Sequence, residues 1–312
     1  MVLFALLLIV EYSFRYFNAF PQTGVQSYSY ERFIALKEFI PSVEVSSYSD
    51  EFEAIELKEI EVKPPCLADS NGLLSTKQTL NQKRILLLGD VQTCNLDLNQ
   101  NERIHQRLLK GLDSSYQVLN AAFPGSDLIH STNKMVNVLL SLRPKMVIIN
   151  HNLTDLLILA KNGSYWSKVI GDKKKARVWT TPFAPTHPLT QVEDSLLLKE
   201  YSNAMRNIGQ LLSHWHIKPI FLTQALNHND SASISELLHA QKINLTSHRL
   251  SKLHQKINQE IREICEQNNW SLIDLEKEIE NNPTYFNNYL LFNSKGVQIV
   301  SQHIADSINT WK

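Results

Sequence analysis

Between residues 84 and 310, short apolar runs alternate with longer segments whose apolar positions recur at helical spacing. Residues 85–88 form a compact apolar run, suited to a strand covered on both faces. Residues 101–112 read as a helix and 116–120 as a second strand. Residues 131–142 read as a helix with Met135, Val136, Val138, Leu139 and Leu140 apolar, and 146–149 as a third strand. A long irregular stretch follows at 161–191, carrying Tyr165, Trp166, Trp179 and several prolines. The rhythm then resumes: helix 194–215, strand 217–223, helix 244–268, strand 270–275 and helix 294–310. Alternating β and α elements predict an α/β fold, a five-stranded parallel sheet with helices on both faces in a flavodoxin-like three-layer sandwich. In such sheets, sites form just past the carboxyl ends of the strands.

The first 80 residues lack this rhythm. Residues 30–40 fit a short amphipathic helix through Phe33, Ile34, Leu36 and Phe39. Residues 53–62 alternate like a strand that Pro64 and Pro65 then break, and 68–81 are polar and turn-rich. This divides the chain into an apolar segment at 1–20, a connecting arm at 21–80 and a domain at 81–312. Residues 2–10 are wholly apolar, but a membrane span needs about 20 such residues. No basic region precedes the run, and no small-residue cleavage site follows it, so a secretory signal fits poorly. The readings left open are a short anchor with an aromatic, charged interfacial end, the remnant of a longer span, and a buried helix. Membrane contact through residues 2–20, with a cell-envelope location, is the expectation; a cytoplasmic location is the alternative.

Composition narrows the chemistry. The 312 residues carry 31 basic and 31 acidic side chains, a net charge of zero. No basic stripe is interleaved with aromatics, which argues against nucleic acid as a partner. The run Lys173, Lys174, Lys175, Ala176, Arg177 reads as a solvated loop. Cys66, Cys94 and Cys265 form no CxxC pair, so neither a disulfide framework nor a cysteine zinc cluster is supported. His214 and His216, and His248 and His254, lack the spacing that places two ligands on one helix face, so no metal and no cofactor is expected. The chain has neither GxGxxG nor GxxxxGK[ST], which removes the usual nucleotide loops.

The segments at the expected strand ends are GDVQT (89–93), NAAFPGSD (120–127) and NHNLTDLL (150–157), and TYFNNYLLFNSKG (284–296) opens the last helix. Their order and context, over residues 84 to about 308, resemble the SGNH (GDSL-like) hydrolase family. In that family the first block supplies a nucleophilic serine after Gly-Asp. The second supplies a glycine amide to the oxyanion hole and the third an asparagine side chain. The last supplies an aspartate and a histidine. Carried over, the resemblance matches Gly89, Asp90, Gly125 and Asp155 to the frame. Val91 stands at the serine position, Asn152 where glycine is usual, and Thr154 where the asparagine is expected. Phe286, Phe292, Lys295 and Gly296 set the register of the last block, which places Asn288 at the aspartate and Leu291 at the histidine. Valine has no oxygen to attack a carbonyl, and leucine cannot take a proton. A neutral Asn288 cannot stabilise an imidazolium, and Thr154 lacks the carboxamide that would reach an oxyanion.

No catalytic residue is therefore expected. Gly89, Asp90, Gly125, Asn152 and Asp155 become a vestigial cleft or ligand site. Cys94 is the fallback nucleophile, near a possible helix start where a thiol pKa falls. Thr93 and Ser126 are further hydroxyls, and His151 reads as a core histidine. The loop at 179–190, with Trp179 and Phe183, is either a lid suited to sugar rings or a packed loop. The function expected is that of an inactive, membrane-tethered binding or scaffolding component of a cell-envelope or polysaccharide system, with a glycan or protein partner. The alternative is an active acyl esterase or O-acyltransferase with a non-standard nucleophile.

Overall fold

The computed structural model describes residues 31–33, 36–48, 60–75, 82–168, 175–178, 192–241, 243–279 and 282–311. In chain order the strands are β1 (Glu31–Phe33), β2 (Glu44–Tyr48), β3 (Ile60–Leu67), β4 (Leu74–Ser75), β5 (Lys83–Gly89), β6 (Tyr116–Asn120), β7 (Met146–Asn150), β8 (Trp166–Lys168), β9 (Lys175–Val178), β10 (Lys218–Leu222) and β11 (Ser271–Ile273). The helices are α1 (Val91–Cys94), α2 (Ile104–Gly111), α3 (Leu128–Asn137), α4 (Leu153–Asn162), α5 (Asp194–His214), α6 (Ser231–Ala240), α7 (Ser247–Asn268), α8 (Leu275–Ile279) and α9 (Ser294–Thr310).

The main sheet has the order β11-β10-β7-β5-β6-β4. Its first five strands are parallel, as the alternating rhythm predicts. The two-residue β4 adds an antiparallel edge beside β6, in a stretch the sequence reading left as turns. Strand side chains alternate between two cores, as a period of two requires. Leu86, Leu88, Leu119, Val147 and Ile149 face the larger core with α3 to α7. Ile85, Leu87, Val118, Ile148 and Ile220 face a second core with α2, α8 and α9. Helices on both faces explain why these strands are continuous apolar runs.

Outside this sheet the expectations need correction. Residues 31–33 are not helical: β1 pairs in parallel with β9, so its backbone groups are met by a strand partner. Residues 36–40 are not helical either. Strand β3 runs through Pro64 and Pro65 to Leu67 rather than ending before them. Its pairing with β2 shifts register between Val45 and Ser47, and both prolines fall inside that shift, where no ladder N–H is needed. The irregular stretch after 161 contains the antiparallel pair β8 and β9, and Lys175 to Arg177 of the basic run are strand residues. The helix expected at 131–142 is α3, which starts three residues earlier because Asp127 accepts a 2.8 Å bond from His130 N and caps it, and which ends at Asn137 before a separate 3-10 turn at Leu139–Leu142. The apolar segment at 2–10, residues 53–59, Lys173, Lys174 and the loop at 179–190 lie outside the described residues. Among the described residues no helix is long and apolar enough to cross a membrane. Phe39, Cys66, Ala68 and Leu74, from the stretch read as an arm, share a small core with Cys94, Leu96 and Ala122 of the main domain.

Candidate active site

Strand β5 ends at Gly89, and Asp90 turns the chain into α1. The Asp90 carboxylate accepts a 3.0 Å bond from Gln92 N, which makes it the N-cap of α1. The approach is tight. A β-carbon on Gly89 would lie 2.3 Å from Thr93 Oγ1 and 2.9 Å from the Asn150 carbonyl. Val91, Gln92, Thr93 and Cys94 are all buried as a result.

Val91 and Leu291 are both side chains of the larger core, together with Tyr289 and Leu290. Between the strand-end loops runs Gln92. Its Nε2 donates to the Ala225 carbonyl at 2.9 Å and to the Leu290 carbonyl at 2.7 Å, while its Oε1 accepts from Asn150 Nδ2 at 3.2 Å. One buried amide thus ties α1, the end of β7 and the segment after β10 to the loop before α9. Asn288 turns its oxygen inward on that loop, accepting from Leu290 N at 2.8 Å and Leu291 N at 2.7 Å. It shapes the loop and orients no imidazole.

The remaining candidates are held by internal bonds. Thr154 Oγ1 donates to Asp90 Oδ2 at 2.9 Å, and Gln224 Nε2 reaches the same oxygen at 3.5 Å. Burial raises the Asp90 pKa, and the nearby His151 and the Thr154 hydroxyl only partly offset it. Asn152 Nδ2 donates to Asn258 Oδ1 at 2.8 Å and to the His254 carbonyl at 3.0 Å. Gln224 and Asn258 exchange bonds through the Gln224 backbone at 3.0 and 2.9 Å. Gly125 has φ +71°, so glycine at this turn follows from backbone conformation. Thr93 Oγ1 accepts from Asn150 Nδ2 at 3.1 Å, and Ser126 Oγ lies 3.5 Å from Ser131 Oγ.

The reading of Cys94 as a nucleophile is corrected. Cys94 is the last residue of α1, not an early one, and it is fully buried. Burial pushes its thiol well above the ordinary range, the Asp90 charge adds to the shift, and the basic Lys134 and Arg103 do not reverse it.

Composition of the strand ends did not reveal one constellation. Ser131 Oγ lies 2.7 Å from His151 Nε2, and His151 Nδ1 lies 3.4 Å from Asp155 Oδ2, an ion-pair distance without an aligned hydrogen bond. Asp155 Oδ1 accepts from Leu128 N at 2.9 Å and from Tyr165 Oη at 2.8 Å. Burial disfavours charge on His151, but Asp155, Asp90 and Asp127 outweigh it and raise the imidazole pKa. Serine, histidine and carboxylate thus stand in sequence with only the first link hydrogen-bonded, and each is no more than 2% exposed, so an ester carbonyl has no access to Ser131. The sequence signal for Ser131 was absent, because it reads as one more helix residue. Gln92 and Gln224 had a weaker signal, as polar residues directly after expected strands.

His105 sets an acid limit on the domain. It packs under Asn120, whose Nδ2 lies 3.5 Å from His105 Nδ1, and burial with the Arg103 charge lowers its pKa to about 3. The unfolded chain therefore binds the extra proton below the ordinary value near 6.5, and stability falls as pH drops from there toward 3. Between about pH 6.5 and 4.5 this group alone is expected to remove about 2 kcal/mol. Urea unfolding at both pH values should show that loss, and His105→Gln should lessen it.

Strand order and paired cores make a doubly wound α/β fold, and its likeness to a solved GDSL-like protein makes that fold SGNH-like. A protein described as a GDSL-like lipase from Parabacteroides merdae superposes with a TM-score of 0.52 at 11% identity, over 75% of this chain and 99% of that one. A GDSL-like lipase from Bacteroides thetaiotaomicron gives 0.48 at 15% identity, over 76% and 93%. An acetyl xylan esterase from Geobacillus stearothermophilus gives 0.48 at 12% identity, over 72% and 94%. No family model and no curated protein matches the chain.

Proposed function

We propose that this chain is a catalytically inactive SGNH-like domain that serves as a binding or scaffolding component of a cell-envelope or polysaccharide system, tethered at a membrane through residues 2–20. One observation carries the inactive half of this reading. At the expected nucleophile and base positions stand Val91 and Leu291, both core side chains, and Gln92 bolts the intervening loops together. The acyl transfer of a serine-type hydrolase needs a nucleophilic oxygen and a proton acceptor at reach of one carbonyl. Val91 and Leu291 supply neither. Asn288 spends its side-chain oxygen on the loop backbone, and Thr154 its hydroxyl on Asp90.

The membrane tether draws on the apolar residues 2–10 followed by an aromatic, charged stretch. The glycan setting draws on the resemblance to a family acting on acylated glycans, lipids and peptidoglycan. Retention of the purified full chain on immobilised O-acetylated polysaccharide, against a deacetylated control, tests it. Retention is expected, and passage through both columns would remove the glycan half.

A second reading is an acyl esterase or O-acyltransferase. The observation in its favour is the 2.7 Å contact between Ser131 and His151. It requires α3 to lift and uncover Ser131. Ester turnover abolished by Ser131→Ala would be its signature.

A further inference from the structure

At the carboxyl edge of the main sheet, the loop after β10 and the start of α8 meet the middle of α7. They bring together His228, Glu276 and His254. His254 is fully buried and His228 half-buried. Their rings lie 5.4 Å apart between centroids, inclined at 70°. All four ring nitrogens are shut away from solvent, and none has a hydrogen-bond partner. One nitrogen from each ring and a carboxylate oxygen of Glu276 all lie within 4.8 Å of one another.

Buried polar atoms in folded proteins are almost always partnered, because an unpaired one forfeits its hydration for nothing. Two adjacent imidazoles that both lack a partner therefore point to a missing third party. A proton donor between them would serve one nitrogen each, but the carboxylate beside them selects a cation. Neutral imidazole offers a lone pair, and the carboxylate adds charge. The carboxylate is already aimed: Arg262 Nη2 holds Glu276 Oε2 at 2.6 Å and also grips Asp274 Oδ1 at 2.7 Å. Outer partners of this kind fix a ligand's orientation.

We propose that His228, His254 and Glu276 bind a divalent transition-metal ion of the zinc class, with a fourth position left for water or a ligand. Two imidazoles with one carboxylate form a known open zinc set, with donors at about 2.0–2.2 Å. Around a tetrahedral ion such donors sit about 3.4 Å apart, so the three would draw together on binding. The ion would cross-link three segments. The His228 loop is anchored through Asn227 N to the Tyr289 carbonyl at 2.8 Å, and the His254 carbonyl accepts from Asn152. The site thus adjoins the segments that carry Leu291 and Asn152 without using any residue of the expected cleft. No spacing rule exposes it, since the three residues come from a loop and two different helices.

The test is a Zn2+ titration of the chelator-treated full chain by calorimetry, with Co2+ absorbance as the probe of coordination. His228→Gln and Glu276→Gln run beside it. His228 is only half-buried, so this variant should keep the metal-free melting temperature. The expected result is saturable binding of one Zn2+ per chain, a Co2+ spectrum of tetrahedral type, and a melting temperature raised by Zn2+. Affinity should fall in His228→Gln by more than the about 10–100-fold that follows loss of an outer partner. Absence of saturable binding, or equal affinity in the natural chain and both variants, would overturn the proposal.

Discussion

Asp155→Ala is expected to cost about 3–5 kcal/mol of folding stability, the range for removing one partner of a buried ion pair. The carboxylate accepts from Leu128 N and Tyr165 Oη and faces His151 Nδ1. Alanine orphans all three groups in a site closed to water. Asp155→Asn separates the contributions, because an amide oxygen can still accept from Leu128 and Tyr165 while the charge is gone. The sign of the pH effect follows from His151, whose pKa in the folded chain is raised. A raised histidine contributes stability that is fully present below its unfolded pKa and lost as pH rises through the folded one. The gap between natural chain and Asp155→Asn should therefore be wider at about pH 6 than at about pH 9 in urea unfolding. An equal gap at both would mean that His151 is uncharged throughout.

Gly89→Ala is expected to cost about 3 kcal/mol, at the upper end for overpacking a core. The added methyl would lie 2.3 Å from Thr93 Oγ1, 2.8 Å from Thr93 Cβ and 2.9 Å from the Asn150 carbonyl. A hydroxyl could turn away, but a β-carbon and a strand carbonyl cannot. Helix α1 would have to move, and it carries Gln92 with its bonds to Ala225 and Leu290. The loss should thus appear both in thermal melting and as faster hydrogen exchange in the loop before α9. A cost below about 1 kcal/mol would show that α1 slides freely.

Much of the main sheet was legible because its strands are covered on both faces. Residues 85–88 and 146–149 read as buried strands and lie within β5 and β7, and the helix at 294–310 has the bounds that its apolar spacing predicts. The short elements were not legible. Strands β1, β4 and β8 have two or three residues, too few to show a period of two. The prolines of β3 were misread because an edge with a register shift tolerates what a central strand does not. At the site, Gly89, Asp90 and Gly125 were placed by the family resemblance, and the structure puts Gly89 at a close approach and Gly125 at a left-handed turn. Cys94 was misplaced because the end of a four-residue helix and its burial depend on distant packing. Gln92 reaches partners 133 and 198 residues away, and Ser131 meets His151 across 20. Such contacts exist only once the sheet has assembled.

The reading of a hydrolase fold without hydrolysis rests on Val91 and Leu291, and one rate measurement tests it most directly. Initial rates of p-nitrophenyl acetate hydrolysis would be compared for the purified full chain and for its Val91→Ser/Thr154→Asn/Asn288→Asp/Leu291→His variant. The account predicts the buffer rate for the natural chain and turnover above it for the variant. Turnover by the natural chain, abolished by Ser131→Ala, would contradict it and move the chemistry to the buried serine beside His151.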